Sequence, residues 1–367
     1  MTLVLGIESS CDETGAAVVA GDGRVLSDVV RSQVELHAPF GGVVPEIAAR
    51  DHLRAIVPVV DQALRDAQLS LADVDAIAVT QRPGLVGALL VGVQAGKGLA
   101  WALDKPLVAV DHLIGHLLSV FLMRPTAAAP APLSDRRGPD CAARPAFPFI
   151  GLLVSGGHSA LYRCDGPLAS HIRELGATRD DAVGEAFDKI AKLLGLGYPG
   201  GPVIDRLAAL GNPDDAPLAL PMPMARKGSL ELSFSGLKSA IARHVLAEGP
   251  PQSDADLANL CAAFQRSATT TLVKKAMAAA KAEGVGRVVV AGGVAANREL
   301  RARMAEACTA RGYELFVPPF ASCTDNAAMI AYAGAVKLQH GSLASLDIGP
   351  LTRTELPRVT RKGRGMR

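Results

Sequence analysis

The apolar run Leu3 to Ile7 ends in a polar stretch, Glu8-Ser-Ser-Cys-Asp12-Glu13-Thr-Gly15, and the apolar pattern resumes over Ala16 to Ala20. Short apolar runs on either side of a polar, glycine-containing break predict strand, turn and strand. The second half repeats the plan with Phe149 to Val154, then Ser155-Gly-Gly-His158-Ser159, then Ala160 to Arg163. The polar turns recur after about 145 residues, which predicts a duplicated lobe. Gly84 to Leu103 is the long apolar stretch of the chain. Gln94, Lys97 and its glycines suit a buried helix pressed against a sheet better than a membrane span. Tyr198-Pro-Gly-Gly201-Pro202 opens an amphipathic helix through Asp205, and Phe234-Ser-Gly-Leu-Lys238 marks a tight turn. Arg287-Val-Val-Val-Ala-Gly292-Gly293-Val-Ala-Ala-Asn297 predicts strand, glycine turn and helix. Between the halves, Arg124 to Pro148 is rich in Pro, Ala and Arg and has no periodicity. The expected organisation is an N-terminal lobe over 1–124, an exposed insertion or hinge loop over 125–148, a C-terminal lobe over 149–340, and a tail over 341–367 whose end is disordered.

Length agrees with two lobes, since 367 residues exceed one small core, and two lobes imply a cleft. Aromatic residues make up only 4%, while 37 glycines and 24 prolines punctuate an aliphatic chain, the balance of an α/β enzyme with many tight turns. The six cysteines, Cys11, Cys141, Cys164, Cys261, Cys308 and Cys323, form no CxxC pair and lie in or beside apolar segments. Reduced thiols and a cytoplasmic location are therefore expected. The first residues enter a strand without a basic leader, so neither export nor a membrane is expected. A net charge of +2 gives no general field for nucleic acid. Arg136, Arg137 and the tail from Arg361 to Arg367 are locally basic, and the tail reads as a solvated end.

Chemistry enters with His112-Leu-Ile-Gly-His116 and, far downstream, Cys323-Thr-Asp325-Asn326. Two imidazoles four apart on a helix face one side, and with a distant carboxylate they make a three-point metal site with an open position. A zinc peptidase of this spacing needs glutamate directly after the first histidine, where this chain has Leu113. The glycine-rich turns allow backbone amides to approach phosphate or ribose oxygens, and together they point to a nucleotide cleft.

Leu5-Gly-Ile-Glu-Ser-Ser-Cys-Asp-Glu-Thr-Gly15, Gly41-Gly-Val-Val-Pro-Glu46, Pro83-Gly-Leu-Val-Gly-Ala88, His112 to His116, Leu152-Leu-Val-Ser-Gly-Gly-His158, Gly184-Glu-Ala-Phe-Asp-Lys189, Ala291 to Asn297 and Thr324-Asp-Asn326 occur in this order. Jointly they resemble the bacterial tRNA threonylcarbamoyladenosine transferases, the TsaD family. The resemblance runs from about Leu3 to Gly334. It implies the actin-like, sugar-kinase-like ATPase (ASKHA) fold, with two related lobes, each a mixed sheet flanked by helices. It also implies a reaction, transfer of the L-threonylcarbamoyl group from threonylcarbamoyl-adenylate to the exocyclic amine of the adenosine just after the anticodon of a tRNA. Carried over by position, it puts one divalent metal, iron first and zinc second, on His112, His116 and Asp325. It puts the adenylate on Leu153, Val154, Ser155, Gly156, Gly157, Asp188, Gly201 and Asn297, with Asp205 added from the same helix as Gly201. Glu13, with Asp12 beside it, is the candidate for the acid/base or amine-orienting role; the plainer reading of both is a turn-capping carboxylate, and of Asp188 a helix-surface charge. The implied partners are tRNA, the TsaB paralogue and the small ATPase TsaE.

The chain departs from the family at Ile114, where an acidic residue is common, at Gln81-Arg82, and in the length of Arg124 to Pro148. An actin-like small-molecule kinase is the alternative, since phosphate loops and an interlobe aspartate would serve it equally. The histidine pair opposes that reading, because such kinases hold magnesium through carboxylates and water. A non-catalytic paralogue of the same fold is opposed by the retention of both histidines and Asp325.

Overall fold

The computed structural model describes residues 1–125, 144–222 and 228–359. Most of the Arg124 to Pro148 insertion, with Arg136, Arg137 and Cys141, and the tail end from residue 360 lie outside the described residues. Among the described residues, ten strands form two sheets: β1 (Leu3–Glu8), β2 (Glu13–Ala20), β3 (Val25–Ser32), β4 (Ala76–Arg82) and β5 (Leu107–Asp111) in the first, and β6 (Phe149–Val154), β7 (Ser159–Cys164), β8 (Ile172–Ala177), β9 (Arg287–Ala291) and β10 (Glu314–Phe316) in the second. The spatial orders are β3-β2-β1-β4-β5 and β8-β7-β6-β9-β10, so the two sheets share one topology. In each, the first three strands form an antiparallel meander and the last two add in parallel. The repeat read from the polar turns is thus a repeat of whole sheets.

The central strands are apolar throughout because both of their faces are covered. Residues 4–8 of β1 and all six residues of β6 are buried, whereas the edge strand β8 alternates, with Ile172 buried and Arg173 exposed. Helices Pro45–Ala67 and Val86–Leu103 cover the outer face of the first sheet. Helices Val183–Leu193, Ser235–Glu248, Asp254–Glu283 and Arg298–Thr309 cover the outer face of the second. Between the sheets lie helices His112–Leu118 and Ala327–Gln339, packed with Val4, Ala17 and Ala78 of one sheet and Phe149, Leu153 and Val289 of the other. The second of these helices comes from the C-terminal half yet rests on the first sheet. A Cβ placed on Gly6 would stand 2.5 Å from the Ala327 carbonyl oxygen, so β1 must carry glycine where this helix crosses it.

Val86–Leu103 is, among the described residues, the one helix long and apolar enough to cross a membrane. Ala88, Leu89, Val91, Gly92, Val93, Gly96 and Ala100 bury one face of it against β1 and β4, as its glycines predicted. No disulfide joins the described cysteines; Cys164, Cys261, Cys308 and Cys323 are buried and Cys11 is half-buried.

Residues 341–359 are integrated into the fold rather than loose. Ala344 bridges Leu107, and the Leu351 amide donates to the Gln81 carbonyl at 2.9 Å. Farther along, Thr354 Oγ1 donates to Asp111 at 2.6 Å and the Val359 amide donates to Glu174 at 3.0 Å. Asp111 uses its other oxygen to cap the helix that carries the histidine pair, accepting from the Leu113 amide at 2.9 Å. The C-terminal segment therefore buttresses the start of that helix. Of the departures from the family, Ile114 is buried in the layer between the sheets, and Arg82 donates to the Gln81 side chain at 2.9 Å.

Candidate active site

The helix His112–Leu118 starts where β5 ends, and its seven residues are all buried. Four-residue spacing stacks the two imidazoles on one face, with ring centroids 4.6 Å apart at 86°. Asp325 arrives from the loop before helix Ala327–Gln339, whose first turn is capped by Asn326 accepting from the Met329 amide. Its Oδ1 lies 3.0 Å from His116 Nε2 and 3.5 Å from His112 Nε2. One ligand atom from each of the three side chains falls within 4.8 Å of the others, a cluster compatible with one metal ion.

The donor chemistry fits such an ion. His116 is fully buried, and its Nδ1 has no partner within the described residues. His112 Nδ1 instead meets Glu8 Oε2 at 2.9 Å. Burial alone would push the His112 pKa down, but Asp325 and Glu8 outweigh it and hold the imidazole well above its ordinary range. Burial prevails at His116, which is lowered despite Asp325. Burial would raise Asp325, yet the His112 charge and the bonds from both rings hold it well below the usual carboxylate range. Without a cation, one histidine must supply the positive charge that the carboxylates demand.

Beside this cluster the β1–β2 turn presents Asp12, which is buried, and Glu13, which is half-buried. Burial first, then the charges of Asp325 and Asp12, push Glu13 well above the ordinary carboxyl range. The Asp12 charge also reaches the second half of the chain. It adds to the burial that raises Asp188, and it acts on Tyr198, whose pKa burial drives up. Asp12 therefore lies within electrostatic reach of Asp188 and Tyr198.

The equivalent turn of the second sheet supplies the glycines. Ser155 closes it, its amide donating to the His158 carbonyl at 2.8 Å and its hydroxyl accepting from the His158 amide at 3.1 Å. Gly156 and Gly157 are exposed, and a Cβ on either would meet no atom within 4 Å. Nothing in the protein itself demands glycine at these two positions, which is the expectation for a backbone that a ligand approaches. Leu153 and Val154 are fully buried in β6 and present no side chain to the cleft. Asp188 Oδ1 accepts from the Gly200 amide at 2.7 Å, so it braces the N-terminus of the helix on which Gly201 stands open. It is more than a helix-surface charge.

Asp205 and Asn297 are brought together at 3.1 Å, but both side chains are engaged by the protein. Asn297 also donates to Gln265 at 2.7 Å and caps the helix Arg298–Thr309 through the Leu300 amide. Asp205 is paired with Arg298 at 2.7 Å. Sequence reasoning passed over Glu8 and Tyr198 as single residues. A carboxylate ending an otherwise apolar strand was the available signal for Glu8.

Gly156→Val is expected to leave thermal stability within about 0.5 kcal/mol, because the added side chain enters open space. It should abolish nucleotide binding measurable by calorimetry. Unchanged affinity in a folded variant would move the phosphate site elsewhere.

Two matching sheets with helices between and outside them define an actin-like ATPase fold, here carrying a His-His-Asp cluster. Solved structures agree on the fold. Full-length HypF in its phosphate- and nucleotide-bound form superposes with a TM-score of 0.58 at 13% identity, over 92% of this chain and 46% of that one. Component A of the Acidaminococcus fermentans (R)-2-hydroxyglutaryl-CoA dehydratase gives 0.51 at 15%, over 92% of this chain and 100% of that one. The model of the family described as TsaD, tRNA N6-adenosine threonylcarbamoyltransferase, matches residues 24–134 and 137–332. The transferase of that name from Sorangium cellulosum is 67% identical over 364 residues, covering 99% of both chains. Its counterpart from Geobacter metallireducens is 50% identical, covering 97% of this chain and 98% of that one. The chain belongs to the tRNA N6-adenosine threonylcarbamoyltransferase family, and its activity is transfer of a threonylcarbamoyl group to adenosine in tRNA rather than small-molecule phosphorylation.

Proposed function

We propose that the donor is threonylcarbamoyl-adenylate and the acceptor the exocyclic amine of the adenosine 3′ to the anticodon, in tRNAs that read codons beginning with A. The observation that carries this reading is a His-His-Asp cluster with a pair of carboxylates beside it, joined in the same chain by an open glycine turn. In the reaction the amine nitrogen bonds to the carbamoyl carbon, the bond from that carbon to the phosphate oxygen breaks, AMP leaves, and the amine gives up a proton. The Ser155-Gly156-Gly157 turn holds the nucleotide by main-chain amides, and Gly201, open on the helix that Asp188 braces, leaves room for it. Leu153 and Val154 shape that turn from the core. Asp188, Asp205 and Asn297 fix the elements that carry it. Glu13 takes the amine proton, its basicity raised by burial and by the Asp325 and Asp12 charges. A divalent ion on His112, His116 and Asp325, iron before zinc, would supply positive charge to the carbonyl or phosphate oxygens.

Partners belong to the same reading. A net charge of +2 and few aromatics make a weak platform for tRNA alone, which favours work alongside the TsaB paralogue and the TsaE ATPase in the cytoplasm. Helices Pro45–Ala67 and Val86–Leu103 leave Leu53, Val57, Leu90 and Trp101 exposed, an apolar face suited to the paralogue. Nucleoside mass spectrometry of tRNA from cells depleted of this protein tests the reaction. Threonylcarbamoyladenosine should disappear and return with the wild-type gene; its persistence at normal level overturns the proposal.

A further inference from the structure

Glu8 is the last residue of β1 and is fully buried, an expensive place for a carboxylate unless each oxygen finds a donor. Its donors are all specific. Oε1 accepts from the Ser10 amide, while Oε2 accepts from Thr80 Oγ1 at 2.7 Å and meets His112 Nδ1 at 2.9 Å. Ser10 Oγ stands 3.2 Å from the same ring nitrogen. An ionised carboxylate only accepts hydrogen bonds, so the hydrogen in the Glu8–His112 contact belongs to Nδ1. In the neutral ring that binds a cation, that leaves the lone pair on Nε2, the atom turned toward Asp325. His116 has no such brace among the described residues, where its buried Nδ1 finds no partner. The two imidazoles are therefore unequal by construction.

Building on the metal reading above, we infer that Glu8 is a positioning residue for the cation. Its carboxylate locks His112 in one tautomer and one ring orientation, and its charge strengthens Nε2 as a donor. Thr80, on the neighbouring strand β4, holds Glu8 in turn. A purely structural Glu8, serving only to satisfy the Ser10 amide and the Thr80 hydroxyl, would have no effect on ion affinity once the fold is intact.

The test is Co2+ binding to metal-stripped full-length protein, by competition with a chromophoric chelator, for wild type, His112→Ala, Glu8→Gln and Thr80→Val. Glu8→Gln keeps the shape and removes the charge. It should retain the melting temperature of the stripped protein, bind Co2+ about 10- to 100-fold more weakly, and alter the visible Co2+ spectrum. Thr80→Val should shift affinity the same way by less. Glu8→Gln binding within about threefold of wild type, with the same spectrum, overturns the inference. If Glu8→Gln does not fold, Thr80→Val decides, and unchanged affinity there overturns it equally. Wild type that takes up no Co2+ sinks the metal reading and this inference with it, whereas a Glu8→Gln variant matching a Co2+-loaded wild type sinks the inference alone.

Discussion

His116→Ala is expected to remove the metal and the transfer activity together while leaving the chain folded. The wild-type ring is fully buried, with Nε2 3.0 Å from Asp325 Oδ1. Deleting it leaves two protein donors, too few for a stable three-ligand site, so metal content should fall from roughly one ion per chain to near zero. Two opposing terms set the cost to the fold. A cavity beside buried Leu113 and Leu117 costs about 2–5 kcal/mol, by analogy with other large-to-small core changes. Removing the unpartnered Nδ1 recovers about 1–3 kcal/mol of unmet polar burial. The two terms partly offset, and a variant that still melts cooperatively ties the loss of transfer to the site. Several kcal/mol of lost charge stabilisation corresponds to a drop of about 10²- to 10³-fold or more. Elemental mass spectrometry, melting and single-turnover transfer on the same preparation check the three statements. A variant with full metal content and full transfer would refute the ligand assignment.

The histidine pair was legible because helical spacing alone sets both rings on one face, and the duplication was legible because each sheet starts with the same strand–turn–strand signature. What the residues alone could not show were the long-range pairings. Nothing local to Asp111 says that its second oxygen will be taken by Thr354, or that helix Ala327–Gln339 will leave the C-terminal half to pack on β1. The residue types at Asp205 and Asn297 suited a nucleotide, yet each found a protein partner first: Arg298 for one, and Gln265 and the Leu300 amide for the other. Short polar side chains near helix starts serve caps and ligands through the same hydrogen bonds, so only the fold decides between the two. Gly156 and Gly157 are the opposite case. The protein gives no steric or conformational reason for either glycine, and their openness strengthens the reading that the sequence suggested.

Glu13→Gln should slow transfer by about 10²-fold or more while sparing nucleotide and metal binding, the signature of a lost general base. The environment makes a second, independent expectation. Glu13 is raised well above the ordinary carboxyl range by burial and by Asp325 and Asp12. A carboxyl raised in the folded state lends stability that is full at low pH and is lost as pH climbs from the unfolded value through the folded one. At neutral pH the metal-free wild type has therefore given up that stability wholly or in part, and the neutral amide of Gln removes the loss. Metal-free Glu13→Gln should melt at or above the wild-type temperature near pH 7, with the difference shrinking toward pH 4. A turn-capping Glu13 predicts the reverse, lower melting with near-normal transfer. The geometry already disfavours the cap, since the Ser10 amide of the same turn goes to Glu8. The acid limb of the transfer rate should also flatten in the variant, because the group that must lose its proton is gone. Single-turnover transfer across pH, with melting of the metal-free protein alongside, reads both effects. A rate within about threefold of wild type would take Glu13 out of the chemistry and leave Asp12 as the carboxylate to test.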